Sequence, residues 1–243
     1  IANASNIGNE KRLDELKDEM GDWTIVKAND GGFFSAGFVI GYRGTEMKEG
    51  METVYDMIAD IDLFGLGTNA QDGHASVFAA GLILEHEQSD LYVTSHSLGG
   101  FLAQVISYRI LDQQLHNAFY LESSNHTNLK EILLQGSRFK KGVTFNAAPF
   151  FYNSYDSFIG NFTALRPAIP IDVLESSKYD NQVINYSIDG DFLQSWFVDT
   201  GSATKFGKIV PAFPMLNSGE SSHALVQFYE HFPRYDGLEK ELY

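Results

Sequence analysis

Cysteine is absent from the 243 residues, which excludes disulfides, thiolate nucleophiles and cysteine-ligated metals. Basic residues are scarce: 17 Lys and Arg stand against 32 Asp and Glu, for a formal net charge of −15. A surface that acidic is repelled by nucleic-acid phosphates and by strongly anionic membranes, so neutral or zwitterionic partners are expected and nucleic acid is not. No apolar run approaches the length of a membrane span, and no transmembrane segment is expected. Internal repeats and low-complexity segments are missing too. The first residues, Ile1 to Asn6, have neither a basic flank nor an apolar core and do not read as a signal peptide.

What is present describes a globular chain. Hydrophobic residues make up 44% and charged residues 20%, enough to build one sizeable core; a single α/β domain over residues 1–243 is expected. Helices are predicted over Glu10–Met20, Glu52–Asp62, Ala75–Glu87, Leu98–Leu111, Leu129–Gln135 and Ala224–His231. Strands are predicted over Trp23–Lys27, Phe33–Tyr42, Leu91–Thr94, Gly142–Asn146 and Val183–Ile188, the first two joined by a turn at Asn29–Gly32. Strands and helices alternate through the middle, which predicts a mostly parallel central sheet flanked by crossover helices. The apolar, irregular stretch from Phe150 to Ile171 is long enough to suggest a lid or a substrate wall. Phe and Tyr number 19 and 12, and many fall in loop-like segments after residue 145, as an apolar binding surface requires.

The segment Leu91-Tyr92-Val93-Thr94-Ser95-His96-Ser97-Leu98-Gly99-Gly100 carries the chemistry. It runs as a strand, turns sharply on small residues around one serine, and resumes as a helix. This is the layout of a nucleophile elbow with Ser97 at its apex. Residues two before and two after the serine must be small, because strand and helix pack closely about the turn; they are Ser95 and Gly99. The plain alternative is an ordinary helix start at which Ser97 is only a cap. The strand before it and the helix after it favour the nucleophile.

A serine nucleophile on such a scaffold takes its acid, then its histidine, from later in the chain. The Val183–Ile188 strand ends in Asp189-Gly190-Asp191, and Asp191, followed by Phe192 and Leu193, is the expected acid, with Asp189 the near alternative. His74 and His86 precede the serine, His96 adjoins it, and His116 and His126 fall before the acid, which leaves His223 and His231. His223 lies in a small polar loop just ahead of a helical pattern and is the expected base. Two backbone donors are needed for an oxyanion. The amide of Leu98 follows the nucleophile, and Thr45, at the end of Phe38-Val39-Ile40-Gly41-Tyr42-Arg43-Gly44-Thr45, is the expected second.

Taken together these segments resemble the class 3 (fungal-type) lipases, in their bacterial branch, within the α/β-hydrolase superfamily. Tyr42-Arg43-Gly44-Thr45 is similar to the family's F-R-G-T/S oxyanion strand, and Thr94-Ser95-His96-Ser97-Leu98-Gly99-Gly100 to its T-G-H-S-L-G-G elbow. Val143-Thr144-Phe145-Asn146-Ala147-Ala148-Pro149 resembles its V-T-F-G/N-A-P strand. Gly190-Asp191 and His223 to Phe228 match its acid and histidine regions more loosely. The chain departs from the pattern with Ser95 for glycine and Tyr42 for phenylalanine. The resemblance implies an α/β-hydrolase fold and hydrolysis of carboxylic esters, with lipid or ester substrates met at a lipid–water interface. It also implies a lid within Glu46–Gln71 and no metal or organic cofactor. Secretion or cell-surface display by a bacterium is the expected setting. A phospholipase A1, a short-chain carboxylesterase, a serine peptidase and a catalytically dead binding module on the same fold are the alternatives.

Overall fold

The computed structural model describes residues 24–29, 36–42, 70–85, 89–112, 138–151, 169–216, 221–228 and 231. The predicted helices at Glu10–Met20, Glu52–Asp62 and Leu129–Gln135 lie outside the described residues, as does the lid segment Glu46–Gln71 apart from its last two residues.

Branched and aromatic runs form the strands. β1 (Thr24–Asn29) and β2 (Ala36–Tyr42) pair antiparallel, with Thr24 opposite Gly41 and Asn29 opposite Ala36. Helix α1 (Ala70–Glu85) precedes β3 (Asp90–His96); helix α2 (Ser97–Leu111) follows it directly and leads on to β4 (Phe139–Phe145). β5 (Phe150–Phe151), the single helical turn α3 (Ile171–Leu174), β6 (Val183–Tyr186), β7 (Ala203–Thr204) and β8 (Lys208–Ile209) complete the order. Among the described residues the central sheet has six strands, in the order β1-β2-β3-β4-β6-β8. All neighbours except β1 and β2 run parallel, and with helices between the strands this is an α/β fold. β5 and β7 form a separate antiparallel pair.

Periodicity explains the layers. In β3, Leu91, Val93 and Ser95 are buried and the residues between them are half-buried, the period-two alternation of a sheet strand. Helix α2 is buried almost all round, Ser97 to Tyr108 and Ile110, so it has no polar face and lies within the core. Its buried Gln104 makes full use of its amide: Nε2 donates to the carbonyls of Gly100 (3.2 Å) and Ala148 (3.1 Å), and Oε1 accepts the Phe206 N–H (2.8 Å). Asn185 of β6 does the same for the neighbouring strands, accepting from Thr144 Oγ1 at 2.7 Å and donating to the Phe206 carbonyl at 2.8 Å.

The helix meets the sheet closely where Gly100 faces the exit of β4. A Cβ at residue 100 would lie 2.5 Å from the Cβ of Ala147 and 2.9 Å from its Cα, inside contact distance. The Ala148 N–H donates to the Ser97 carbonyl at 3.0 Å and locks the same junction.

The five predicted strands fall at β1, β2, β3, β4 and β6, with β6 ending at Tyr186 rather than Ile188 and β4 starting at Phe139 rather than Gly142. Phe139 is buried there and Lys140, exposed, pairs with Asp90 at 3.3 Å. The predicted helix Ala224–His231 is corrected: among its described residues only Leu225–Phe228 is helical, as a 3-10 turn. The His223 carbonyl, which would open an α-helical ladder, instead accepts side-chain N–H groups from His96 (2.7 Å) and Asn146 (3.1 Å). The backbone closes i to i+3 bonds in its place, Ala224 to Ser221 and Gln227 to Ala224. No helix among the described residues is long and apolar enough to cross a membrane.

Candidate active site

Ser97 occupies the junction between β3 and α2. Its φ is +56°, a left-handed conformation that side chains other than glycine's rarely take. Only Asn146 shares that property among the described non-glycine residues. Unfavourable backbone of this kind persists where the surroundings enforce it, and at a functional site it aims a side chain. Here the small neighbours Ser95, Gly99 and Gly100 let strand and helix close on the turn. The first amides of α2, Leu98 among them, have no carbonyl one turn back to accept them within the helix.

The Ser97 hydroxyl lies 2.9 Å from Nε2 of His223, and Nδ1 of His223 lies 2.5 Å from Oδ2 of Asp191. The three residues are fully or almost fully buried: 0% exposed for Ser97 and Asp191, 3% for His223. A carboxylate accepts and cannot donate, so Nδ1 of the neutral imidazole carries the hydrogen and Nε2 presents its lone pair to the serine O–H. The second carboxylate oxygen, Oδ1, accepts the Gln194 N–H at 3.0 Å. Both acid oxygens are thereby fixed.

The acid arises where β6 ends. Asp189-Gly190 forms a turn, with Gly190 at φ +78°, and the Asp191 N–H closes onto the Ile188 carbonyl at 3.0 Å. Asp189 is exposed and gives its N–H to the Phe213 carbonyl at 2.7 Å, so the carboxylate brought to the imidazole is that of Asp191. A π-helical turn, Gln194–Val198, follows, and the Ser195 N–H and hydroxyl both donate to the Asp191 carbonyl at 2.8 Å. Behind the acid lies Lys205, 1% exposed, whose ammonium donates to Gln194 Oε1 at 3.0 Å. Burial lowers its pKa from 10.5 to about 8, against the opposing pull of Asp191 and Asp199.

Of the oxyanion candidates, Leu98 sits in the first turn of α2 and Thr45 lies outside the described residues, with Arg43 and Gly44. The strand leading to Thr45 is fixed at its last described residue. The Tyr42 N–H donates to Ser95 Oγ at 2.8 Å, and the Ser95 hydroxyl returns a hydrogen bond to the Tyr42 carbonyl. The serine that replaces the motif's first glycine thus stitches the ends of β2 and β3 together, a function glycine cannot perform.

His96, adjacent to Ser97 in the chain, stays off the serine–imidazole–carboxylate line. It acts on the backbone of His223, donating Nε2–H to that carbonyl at 2.7 Å, with the two rings 4.7 Å apart. Phe192 covers the His223 ring from another direction, at 5.1 Å. Burial, and secondarily the proximity of His223, lowers the His96 pKa from 6.5 to about 4, so it is neutral at pH 7. Unfolded, it would take up a proton below about pH 6.5 that the folded chain refuses until about pH 4. Its contribution to stability is therefore complete above pH 6.5 and is lost as pH falls through 4, worth up to about 3 kcal/mol. His96→Gln should lose less stability than the wild type between pH 7.5 and 4.5 in thermal melts, and equal losses would contradict this assignment.

Neither a family model nor a curated protein nor a solved structure matches the chain.

Proposed function

We propose that the chain is a serine hydrolase of the α/β-hydrolase type that cleaves carboxylic esters of lipids through an acyl-serine intermediate. The observation that carries this is the buried relay from Ser97 Oγ through His223 to Asp191, with spans of 2.9 and 2.5 Å. The Ser97 hydroxyl attacks the ester carbonyl carbon while Nε2 of His223 takes its proton. Asp191 holds the tautomer and stabilises the imidazolium. The developing oxyanion is held by the Leu98 amide and by Thr45, each such donor being worth roughly 3 kcal/mol. The tetrahedral adduct expels the alcohol, which leaves with the proton from His223. Water, deprotonated by the same imidazole, then attacks the acyl carbonyl and releases the acid and the serine.

Two features favour an apolar, uncharged acyl substrate. Phe192 rests on the His223 ring and on Trp196, itself 52% exposed, while Leu225 and Val226, just past His223, are exposed as well. The net charge of −15 favours neutral or zwitterionic lipids. Likeness to the class 3 lipases at the elbow, the oxyanion strand and the β4 exit agrees with this. Hydrolysis of a graded series of p-nitrophenyl esters, beside triacylglycerol and phosphatidylcholine, tests the proposal. Turnover that rises with acyl length supports a lipase, a preference for phosphatidylcholine redefines it as a phospholipase, and turnover of short soluble esters alone redefines it as a carboxylesterase. Turnover of none would overturn it.

A further inference from the structure

Asn146 stands at the exit of β4, outside the serine–imidazole–carboxylate line, and it is fully buried. Its backbone N–H donates to the Tyr186 carbonyl at 2.9 Å, continuing the β4–β6 ladder. Its φ is +43°, a conformation glycine would take without strain, so the amide side chain is kept in spite of the backbone.

That side chain spans two segments far apart in sequence. Oδ1 accepts the Ile188 N–H at 3.0 Å; Ile188 is the residue whose carbonyl receives the Asp191 N–H. Nδ2 donates to the carbonyls of Ser222 (3.0 Å) and His223 (3.1 Å). One carboxamide therefore grips the turn that presents the acid and the loop that presents the base. Only a group with an acceptor on one arm and two donors on the other can do this; a carboxylate lacks the donors and an aliphatic side chain lacks both. Ser222 Oγ, donating to the Gly190 carbonyl at 2.8 Å, adds a second tie between the loop and the turn, while His96 holds the His223 carbonyl alone.

We infer that Asn146 is a positioning residue that sets the distance between His223 and Asp191, a role that presupposes the hydrolase chemistry proposed above. Its side-chain hydrogen bonds all run to backbone groups of the two loops, and its effect passes through the placement of the imidazole. Displacing a general base by about 1 Å costs on the order of 100-fold in rate.

The test uses the full chain with Asn146→Gly, which suits the backbone and deletes the clamp. Asn146→Asp is its companion, keeping the bond from Ile188 and losing both donors. Three measurements are made: kcat and KM on a p-nitrophenyl ester, thermal melting, and the low-field proton resonance of His223 Nδ1–H in the hydrogen bond to Asp191. Asn146→Gly is expected to melt cooperatively, to lose about 10- to 100-fold in kcat with KM within about twofold, and to show the low-field resonance shifted or broadened. Asn146→Asp is expected to follow it. A kcat within about threefold of wild type, with the resonance unmoved, would overturn the role, and Asn146→Asp decides the matter by the same criterion if the glycine variant does not fold. The resonance needs no turnover. A wild type inert toward every ester would therefore end the hydrolase proposal alone, while the resonance in the variants still decides whether Asn146 positions the pair.

Discussion

Ser97→Ala should abolish ester hydrolysis, with kcat falling roughly 10⁶-fold and KM little changed. The hydroxyl oxygen is the only heavy atom removed, and Ser97 is fully buried at a junction where alanine fits the same space. Its left-handed φ of +56° is already tolerated by one Cβ-bearing residue, so the fold should survive. Without Oγ no covalent intermediate forms, and the oxyanion donors and His223 have no attacking atom to assist. Any residual rate should reflect water activated in a site built for another nucleophile. Initial-rate assays with matched circular dichroism separate loss of chemistry from loss of fold, and a folded alanine variant with unchanged turnover would remove Ser97 from the mechanism.

The second large effect distinguishes two aspartates two residues apart. Asp191→Asn should lower kcat by about 10⁴-fold, whereas Asp189→Asn should stay within about threefold of wild type. An asparagine at 191 can turn its N–H₂ toward Nδ1, which moves the imidazole proton to Nε2. That nitrogen would then face Ser97 with a hydrogen in place of a lone pair and could not accept the serine proton. Asp189 is exposed in the turn and engages the rest of the chain through its N–H to Phe213, which the substitution leaves alone. Equal losses at the two positions would show that the turn, and not the 2.5 Å contact between Asp191 and His223, governs the rate.

Much of this arrangement is legible in the chain itself, for physical reasons. A strand running into a helix through Ser95-His96-Ser97-Leu98-Gly99 announces its turn through size alone, because bulky residues could not pack there. Chain order and loop composition single out His223, and the strand ahead of it points to Asp191. The helix expected after His223 fails because a local pattern carries no knowledge of distant donors: His96 and Asn146 claim the carbonyl on which the helix would start. The same blindness hides Ser95 as a bridge to Tyr42 and Lys205 as a buried cation behind the acid. Lys205 has neither a periodicity nor a neighbour in sequence to mark it, and the Val143–Pro149 motif that contains Asn146 gives no sign of its partners; each acts on residues more than ten positions away. β5, β7 and β8 are two residues long, too short for any alternation to register.

Covalent trapping tests the central claim most directly. The chain is incubated with an alkyl fluorophosphonate, and the modified residue is located by peptide mass spectrometry after the intact mass is recorded. A serine made nucleophilic by a buried imidazole should be phosphonylated stoichiometrically at Ser97 and at no other serine, with labelling abolished in His223→Ala. An unlabelled Ser97, under conditions that fully label an active serine hydrolase run alongside, would contradict the account.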